Sequence, residues 1–417
     1  MIVADFHIHS KYSRATSTQM DLKGIAEGAK IKGLNIVGTG DFSHPLWLKE
    51  LEKKLEPIEE SGLYKYENIF FMLTTEVSTV FLYNEKIRKI HHIIHVPSLE
   101  IAKQVNDVLS KYGNLKADGR PTLTLSAPDL VEKIMDISKD IMITAAHIWT
   151  PWFSLFGSKS GFNSVEECYQ DCTKYIFSLE TGLSSDPPMN WRLSALDKFT
   201  LVSNSDSHSP NPWRLGREAN VFDLKKITYW EIVNAIKNKD RRKFLYTIEV
   251  DPNYGKYHFT GHRMCGVFLS PKEAIKRGNI CPKCGKRLTI GVLQRVEELA
   301  DRPEGFVPKD AIPFKTLLPL YEIISFAWGG GQLYSKKVLQ EHDKLIEVFG
   351  NELNVLLNVP KEELLKVTNE KIADAIIKVR EGKVKYEPGA DGVYGRPIFD
   401  EKAISKRKNF QKSLNEF

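Results

Sequence analysis

Eight of the chain's eleven histidines fall within its first 208 residues, on or just beyond short apolar runs. Those runs span 2–8, 34–38, 69–77, 90–96, 141–145, 174–179 and 199–203, and helical stretches over 22–32, 98–111 and 129–137 lie between several of them. Short buried strands alternating with helices predict parallel βαβ units, hence an α/β sheet or barrel. Active groups of such folds collect at the C-terminal ends of the strands. His7 and His9 are spaced i, i+2, which puts both on one strand face with Asp5. Asp41 and His44 follow the second run (TGDFSH) and Glu76 closes the third (LTTEVS). His91, His92 and His95 lie on the fourth, and His147 follows the fifth. Glu180 ends the sixth, and Asp206 and His208 (NSDSH) follow the last.

One such residue is ordinarily a packed or solvated side chain. A series of consecutive strand ends is different. Imidazoles and carboxylates gathered at one end of a sheet desolvate and repel one another unless a cation joins them. Mixed nitrogen and oxygen donors suit zinc, manganese or iron, and so many donors exceed the four that one zinc takes, so two or three metals are expected.

At 42% hydrophobic and 27% charged residues, the 417-residue chain is a folded, multi-domain one rather than a disordered one. No apolar run approaches the ~18 residues that span a bilayer. The amino-terminal residues show no basic segment leading into an apolar one. Five cysteines, an odd number, do not suit a secreted disulfide scaffold. A cytoplasmic protein without membrane contact is expected. The net charge of +6 is carried by the back of the chain, because residues 1–240 are slightly acidic. That asymmetry suits a catalytic part joined to a module for a polyanion.

The texture changes near Asp251. His262 and Cys265 (GHRMC) precede Cys281 and Cys284 (CPKC), and two ligand pairs, each spaced by two residues, form the two knuckles of a tetrahedral structural zinc site. His258 is an alternative fourth ligand. Cys168 and Cys172, spaced i, i+4, read as packing residues. Beyond 292 the pattern is helical, with helices over 336–349, 361–365 and 369–380 and a Gly/Pro-rich loop over 387–397. Three parts are expected: a catalytic domain over 1–240, a zinc-binding module over 241–300 and a mostly helical, basic region over 301–417.

The order H-x-H, Asp with a nearby His, Glu, His, His and D-x-H resembles the PHP (polymerase and histidinol phosphatase) family over about residues 1–220. The resemblance implies an α/β fold, a distorted (β/α)7 barrel, with two or three divalent metals (zinc, manganese or magnesium) and phosphoester hydrolysis. Carried over by position, His7, His9, Glu76, His147, Asp206 and His208 look like metal ligands, with Asp41 and, less closely, His44. Of the middle histidines His92 matches the family's His before an apolar pair (HII), with His95 and His91 as alternatives. Asp206, His208 and Glu76 are the expected catalytic centre. Arg14 stands where the family has an Asp ligand, and its guanidinium suits a substrate phosphate instead. GDFSH stands where the family reads T-D-H.

Three features favour a nucleic-acid substrate: the basic back half, the appended module, and the stretch WTPWFSLFGSKSGFNS over 149–164. Trp149, Trp152 and Phe153 can stack on a base, and Asn163, Ser164 and Asn190 can read its edge. Lys336, Lys337, Arg396, Arg407 and Lys408 are candidate phosphate contacts. GDFSHP, GHRMCGV and CPKCGKRLTIGVLQRVEELADRP together resemble the endonuclease Q family of archaeal DNA-repair enzymes over essentially the whole chain. That resemblance implies a nucleoid-associated, metal-dependent endonuclease. It would nick DNA 5′ of a deaminated base (uracil, hypoxanthine, xanthine) or an abasic site, with the nucleotide flipped out. The alternative is a PHP phosphatase acting on a small phosphate monoester, for which residues 251–417 would be superfluous.

Overall fold

The computed structural model of the protein describes residues 1–330, 333 and 335–399. Arg407 and Lys408 lie outside the described residues. Seven strands curl into an open barrel in the order Thr200–Val202, Ile176–Glu180, Met142–Ala145, Lys86–Val96, Ile69–Tyr83, Ile36–Gly38, Ile2–Asp5. A parallel bridge between Ile8 and Ser207 brings the two ends of that series together. The first strand ends at Asp5, short of the expected residue 8, because the chain turns there into the barrel mouth. Phe6 N donates to Asn204 Oδ1 at 2.9 Å and His9 N to Ser207 O at 2.9 Å. Three further strands, Ala219–Phe222, Phe244–Glu249 and Phe314–Thr316, extend the sheet outward from Ile2–Asp5.

Four neighbouring pairs of the barrel are parallel, as alternating strands and helices require. The middle is not. Ile69–Tyr83 and Lys86–Val96 form a long antiparallel hairpin, and Lys86–Val96 is also antiparallel to Met142–Ala145. Asn84 and Glu85 make the turn with φ of 48° and 62°, the left-handed pair that a two-residue hairpin demands. Glu76 consequently lies in the middle of a strand and not at its end.

The flanking helices follow from their sequences. Leu22–Lys32 is capped by Asp21, whose side chain accepts from Gly24 N, and ends at left-handed Gly33. It buries Leu22, Ile25, Ala26 and Ala29 against the sheet. Ala127–Ile137 starts at Ser126, which accepts from Asp129 N.

The back of the chain is tied to this barrel. Lys32, at the end of the first helix, is buried and pairs with buried Glu352 at 2.6 Å. The same Glu352 oxygen accepts from Leu320 N at 3.0 Å, so two C-terminal helices, Leu320–Ala327 and Glu352–Leu357, meet the barrel at one carboxylate. Helices Lys336–Phe349, Lys361–Val367 and Glu370–Arg380 pack around them, and a hairpin of Lys385–Glu387 with Arg396–Ile398 follows. Residues 260–288 form a small unit with a core of its own, Val267, Ala274, Cys281 and Leu288. Among the described residues no helix is long and apolar enough to cross a membrane.

Candidate active site

Six of the residues singled out in the sequence bring donor atoms together at the barrel mouth. His7, His9, Glu76 and Asp206 present donor atoms within 4.8 Å of one another, and so do Glu76, His91 and His147. Glu76 belongs to both groups. Its Oε2 lies 3.4 Å from His7 Nε2 and 3.2 Å from His9 Nε2, while its Oε1 lies 2.6 Å from His91 Nδ1 and 3.1 Å from His147 Nε2. Asp206 Oδ1 completes the first group at 3.0 Å from His9 Nε2. All but Asp206 are buried, and Asp206 is about one-third exposed, on the open side.

Two carboxylates stand behind these imidazoles and fix their tautomers. Glu180 lies 3.0 Å from His7 Nδ1, and Asp41 lies 3.0 Å from His9 Nδ1. A carboxylate only accepts, so each Nδ1 carries a proton, and the Nε2 of each ring is left facing Glu76, where it would offer its lone pair to a bound cation. Glu180 is held in turn by Asn204 Nδ2 and His147 N, and Asp41 by Ser10 and Ser13. Burial pulls His7 and His9 down, but the surrounding carboxylates outweigh it and hold both imidazoles well above their ordinary range. Burial raises Glu76, but His91, Arg120 and His7 outweigh it and hold the carboxyl well below the usual carboxylate range. Strong mutual pulls of this kind fit a set of donors that share cations. Buried His7 Nε2, without a hydrogen-bond partner, is one such vacant donor. Asp41, His147 and Asp206 all sit at positive φ, 49°, 28° and 48°, a strain concentrated at the mouth.

Several sequence expectations are corrected here. On Lys86–Val96, His91 and not His92 faces Glu76. His92 points to the other side of the sheet, where its ring bonds Thr79 Oγ1 at 3.0 Å and Tyr169 Oη at 2.9 Å. His95 shares the face of His91 but lies four residues deeper in the barrel, against Thr144 Oγ1 at 3.2 Å. Burial pushes His92 and His95 down to about 3, so both are neutral packing groups. Asp41 stands behind His9. His44 precedes the helix Pro45–Lys54 without a side-chain capping bond and stacks on Tyr12 at 4.5 Å, outside both donor groups. The His208 ring lies 4.3 Å from the His9 ring, tilted by 47°, and its Nδ1 donates to the Asp206 carbonyl at 3.1 Å, at the rim of the donor set.

Arg14 is largely exposed and reaches Asp118 at 3.5 Å. The guanidinium at the centre is Arg120, whose Nη1 lies 3.1 Å from Glu76 Oε2. Its loop is pressed against Asp41 at Gly119, where a Cβ would collide with Asp41 Oδ2 and Ser13 Oγ. Nothing in the sequence pattern around ADGRP marks Arg120, because the loop reaches the mouth only through tertiary packing.

The 149–164 stretch divides. Trp149 is buried, packs its ring against Phe156 and donates to Asn190 Oδ1 at 2.7 Å, so both Trp149 and Asn190 are core. Ser164 caps the helix Val165–Tyr169, and Asn163 Oδ1 accepts from Arg295 at 2.6 Å. Only Trp152, 41% exposed, and Phe153, 4.9 Å from the His91 ring, stand at the rim.

Away from the mouth, His262, Cys265, Cys281 and Cys284 bring their donor atoms together. Gly285, at φ 71°, closes the CPKC turn with its N–H on Cys281 O. Burial pushes the Cys281 thiol up, but the amides of Lys283 and Cys284 and the His262 ring outweigh it and bring it down to about 6. A thiolate-ready Cys3His set within one unit fits a closed zinc site. His258 is buried and lies outside that group.

A family model described as the MJ0043 C-terminal domain matches residues 319–383. The uncharacterized protein MJ0043 of Methanocaldococcus jannaschii is 37% identical over 261 residues, 61% of this chain but only 32% of that protein, so the chain spans about a third of that relative. The uncharacterized protein YqxK of Bacillus subtilis is 30% identical over 416 residues, 95% of this chain and 98% of that one. Among solved structures, the lesion-specific endonuclease PfuEndoQ of Pyrococcus furiosus superposes with a TM-score of 0.86 at 38% identity, over 97% of this chain and 96% of that chain. Endonuclease Q bound to a 27-mer duplex with an abasic lesion at the active site matches with the same TM-score and identity, over 96% of this chain and 97% of that chain. With end-to-end similarity at that identity, the chain belongs to the endonuclease Q family.

Proposed function

We propose that this chain is a metal-dependent DNA repair endonuclease that nicks the phosphodiester 5′ of a deaminated base or an abasic site. The observation that carries the reading is Glu76, one carboxylate shared by two donor groups at the mouth of a barrel. His7, His9, Asp206 and Glu76 would hold one divalent metal, and Glu76, His91 and His147 a second. When bound, such metals lower the pKa of water toward neutrality and neutralise charge on a phosphate under in-line attack.

The chain's own groups do the rest. Asp41 and Glu180 keep the Nε2 lone pairs of His9 and His7 aimed inward, since their Nδ1 atoms are already engaged. Arg120 stands beside Glu76 with its side chain 29% exposed, placed to clamp a phosphate oxygen through its fixed fork of donors. His208, with its proton held on Nδ1, leaves Nε2 as a base or acceptor at the rim. Phe153 and Trp152 line the approach, where a displaced base can stack.

The division of labour follows the chain: a catalytic domain over 1–240, a module over 241–300 stabilised by one zinc on His262, Cys265, Cys281 and Cys284, and a helical region over 301–417. Arg263, Lys276, Arg277, Lys283 and Lys286 are all exposed on the module and supply phosphate contacts. Exposed Arg396 adds to them. Lys337, whose ammonium lies over the Trp328 ring at 4.3 Å, is engaged locally.

End-labelled duplexes bearing one deoxyuridine, deoxyinosine or abasic site test the reading, against a duplex of normal bases. Each is incubated with Mg²⁺, Mn²⁺ or Zn²⁺, and with Asp206→Ala as the blank. A single cut 5′ of the lesion, absent from the control and from the variant, is expected. Intact DNA under every metal, with phosphate released from small esters, would replace the reading by the monoester phosphatase.

A further inference from the structure

The long hairpin that carries Glu76 and His91 runs on well past them to the turn at Asn84 and Glu85, and its two faces differ. One face is covered. Phe162 packs against Phe81 and Tyr83, with ring centroids 6.1 and 5.3 Å away. Arg88 lies over the same Phe162 ring at 4.4 Å and donates to Gly161 O. The 149–164 stretch also runs along the hairpin's edge, where His91 N donates to Phe153 O at 3.2 Å and Lys89 N to Ser160 O at 3.4 Å. The outer half of the hairpin is thus braced from one side.

The other face carries the metal donors and opens to solvent beyond them. Residues paired across an antiparallel ladder share a face, so Ser78–His91, Val80–Lys89 and Leu82–Ile87 prolong the face of Glu76 toward the turn. Ser78 is buried beside the donors, yet its hydroxyl has no hydrogen-bond partner, a rare state that suits a face awaiting a polar ligand. Lys89 holds its ammonium 5.0 Å from the centre of the Phe153 ring. At the tip, Leu82 is 71% and Ile87 60% exposed. One exposed aliphatic residue is ordinary. Two held opposite each other at the end of a braced ribbon, beside exposed Lys86, form an apolar point flanked by cations. The surface complementary to that point is anionic outside and flat and apolar within, as a base stack is behind its phosphates.

Ile87 lies four residues beyond His91, about 13 Å at the rise of a strand. The grooves of duplex DNA are about 8 Å deep, so a ribbon with a phosphate at its metal-donor end is long enough to reach past the backbone to the bases. We propose that Leu82 and Ile87 form a wedge that enters the duplex at the lesion and fills the gap left when the damaged nucleotide leaves the stack. Aliphatic side chains between base steps offset part of the lost stacking and keep the duplex kinked open. The proposal rests on the lesion-endonuclease reading above and adds to it the pair of residues that holds a paired duplex open.

A lesion inside a short unpaired bubble needs no wedge, which makes it the internal control. Nicking of deoxyuridine in a fully paired duplex and in such a bubble is compared for the full chain, for Leu82→Ala with Ile87→Ala, and for Leu82→Met with Ile87→Val. The alanine variant is expected to lose about tenfold or more in kcat/KM on the paired duplex and to stay within about threefold on the bubble, while the conservative variant keeps both. Both side chains stand in solvent, so thermal unfolding should be unchanged. A 2-aminopurine next to the lesion, which brightens on unstacking, should brighten when the full chain binds the paired duplex without metal and should not with the alanine variant. Equal losses on both duplexes, no loss on either, or unchanged brightening would overturn the proposal. A dimer of the unaltered chain that the alanine pair splits into monomers would also overturn it, by giving the pair to a second copy. Failure of the unaltered chain to nick the paired duplex would instead overturn the endonuclease reading, and the wedge with it.

Discussion

Glu76 and His91 meet at 2.6 Å from neighbouring antiparallel strands, offset by two residues from direct opposition. Ser78 is the residue paired with His91, and Ile93 the one paired with Glu76. Side chains on one face of a sheet recur every second residue, so this register brings His91 to Glu76 and turns His92 away. The hairpin thus selects which of three clustered histidines joins the site.

His91→Ala should lower lesion nicking by at least about 100-fold, the scale of losing a donor to a catalytic cation. His92→Phe should leave nicking close to normal. It should instead cost about 1–3 kcal/mol of stability, because Thr79 Oγ1 and Tyr169 Oη lose a buried partner. Steady-state rates and urea unfolding of the two variants check both halves. Equal loss of activity in both would place the site on the wrong face of the sheet.

The carboxylates behind the histidines should tune affinity and not occupancy of the fold. Asp41→Asn and Glu180→Gln are each expected to weaken divalent-metal binding by about 10- to 100-fold, with the ligands themselves intact. Calorimetric titration of the metal-stripped protein measures this directly. Affinity unchanged in both variants would remove the tautomer-fixing role.

The buried Lys32–Glu352 pair should be a strong determinant of stability. Lys32→Met strands a carboxylate in the interior and is expected to cost about 3–5 kcal/mol. Lys32→Met with Glu352→Leu should recover most of that loss, since an apolar pair of similar volume carries no desolvation penalty. Thermal unfolding of the two proteins decides it; a double variant as unstable as the single one would contradict the account.

Two carboxyls deep in the fold give a pH signature. Burial pushes Asp186 up to about 7 and Glu249 up to about 8. Both bind their protons more tightly folded than unfolded. Their contribution is therefore complete below the ordinary carboxylate range, about pH 4, and is lost as pH rises toward 7 and 8. Chemical unfolding of the metal-loaded protein should show stability falling from pH 5 to pH 9, less steeply in Glu249→Gln. A slope unchanged by that substitution would remove Glu249 as the cause.

Much of this site was legible in the chain itself. His7, His9, Glu76, His147 and Asp206 announce themselves because each is a donor residue on or beside an apolar strand, a placement that survives folding even where, as at Glu76, the strand runs on. The cysteine knuckles are legible because CPKC and its glycine make a local turn. What stayed hidden depends on register and packing. The choice of His91 over His92 turns on the hairpin pairing, and the place of His44 on its stacking against Tyr12. Arg120 enters from a loop that acquires meaning only beside Glu76, and Glu180, visible at its strand end, acquires its role only beside His7. Trp149 and Asn190 misled because an aromatic residue and an amide in a loop look alike whether they face a ligand or each other.

The account stands on Glu76 as the carboxylate common to two metal groups, and metal stoichiometry tests that most directly. The metal-stripped protein, with its cysteine site reloaded by one equivalent of zinc, is titrated with Mn²⁺ or Zn²⁺ beside Glu76→Gln. The unaltered chain is predicted to take up at least two further equivalents tightly, and Glu76→Gln to lose tight binding at both together. Two equivalents bound as tightly by Glu76→Gln as by the unaltered chain would contradict it.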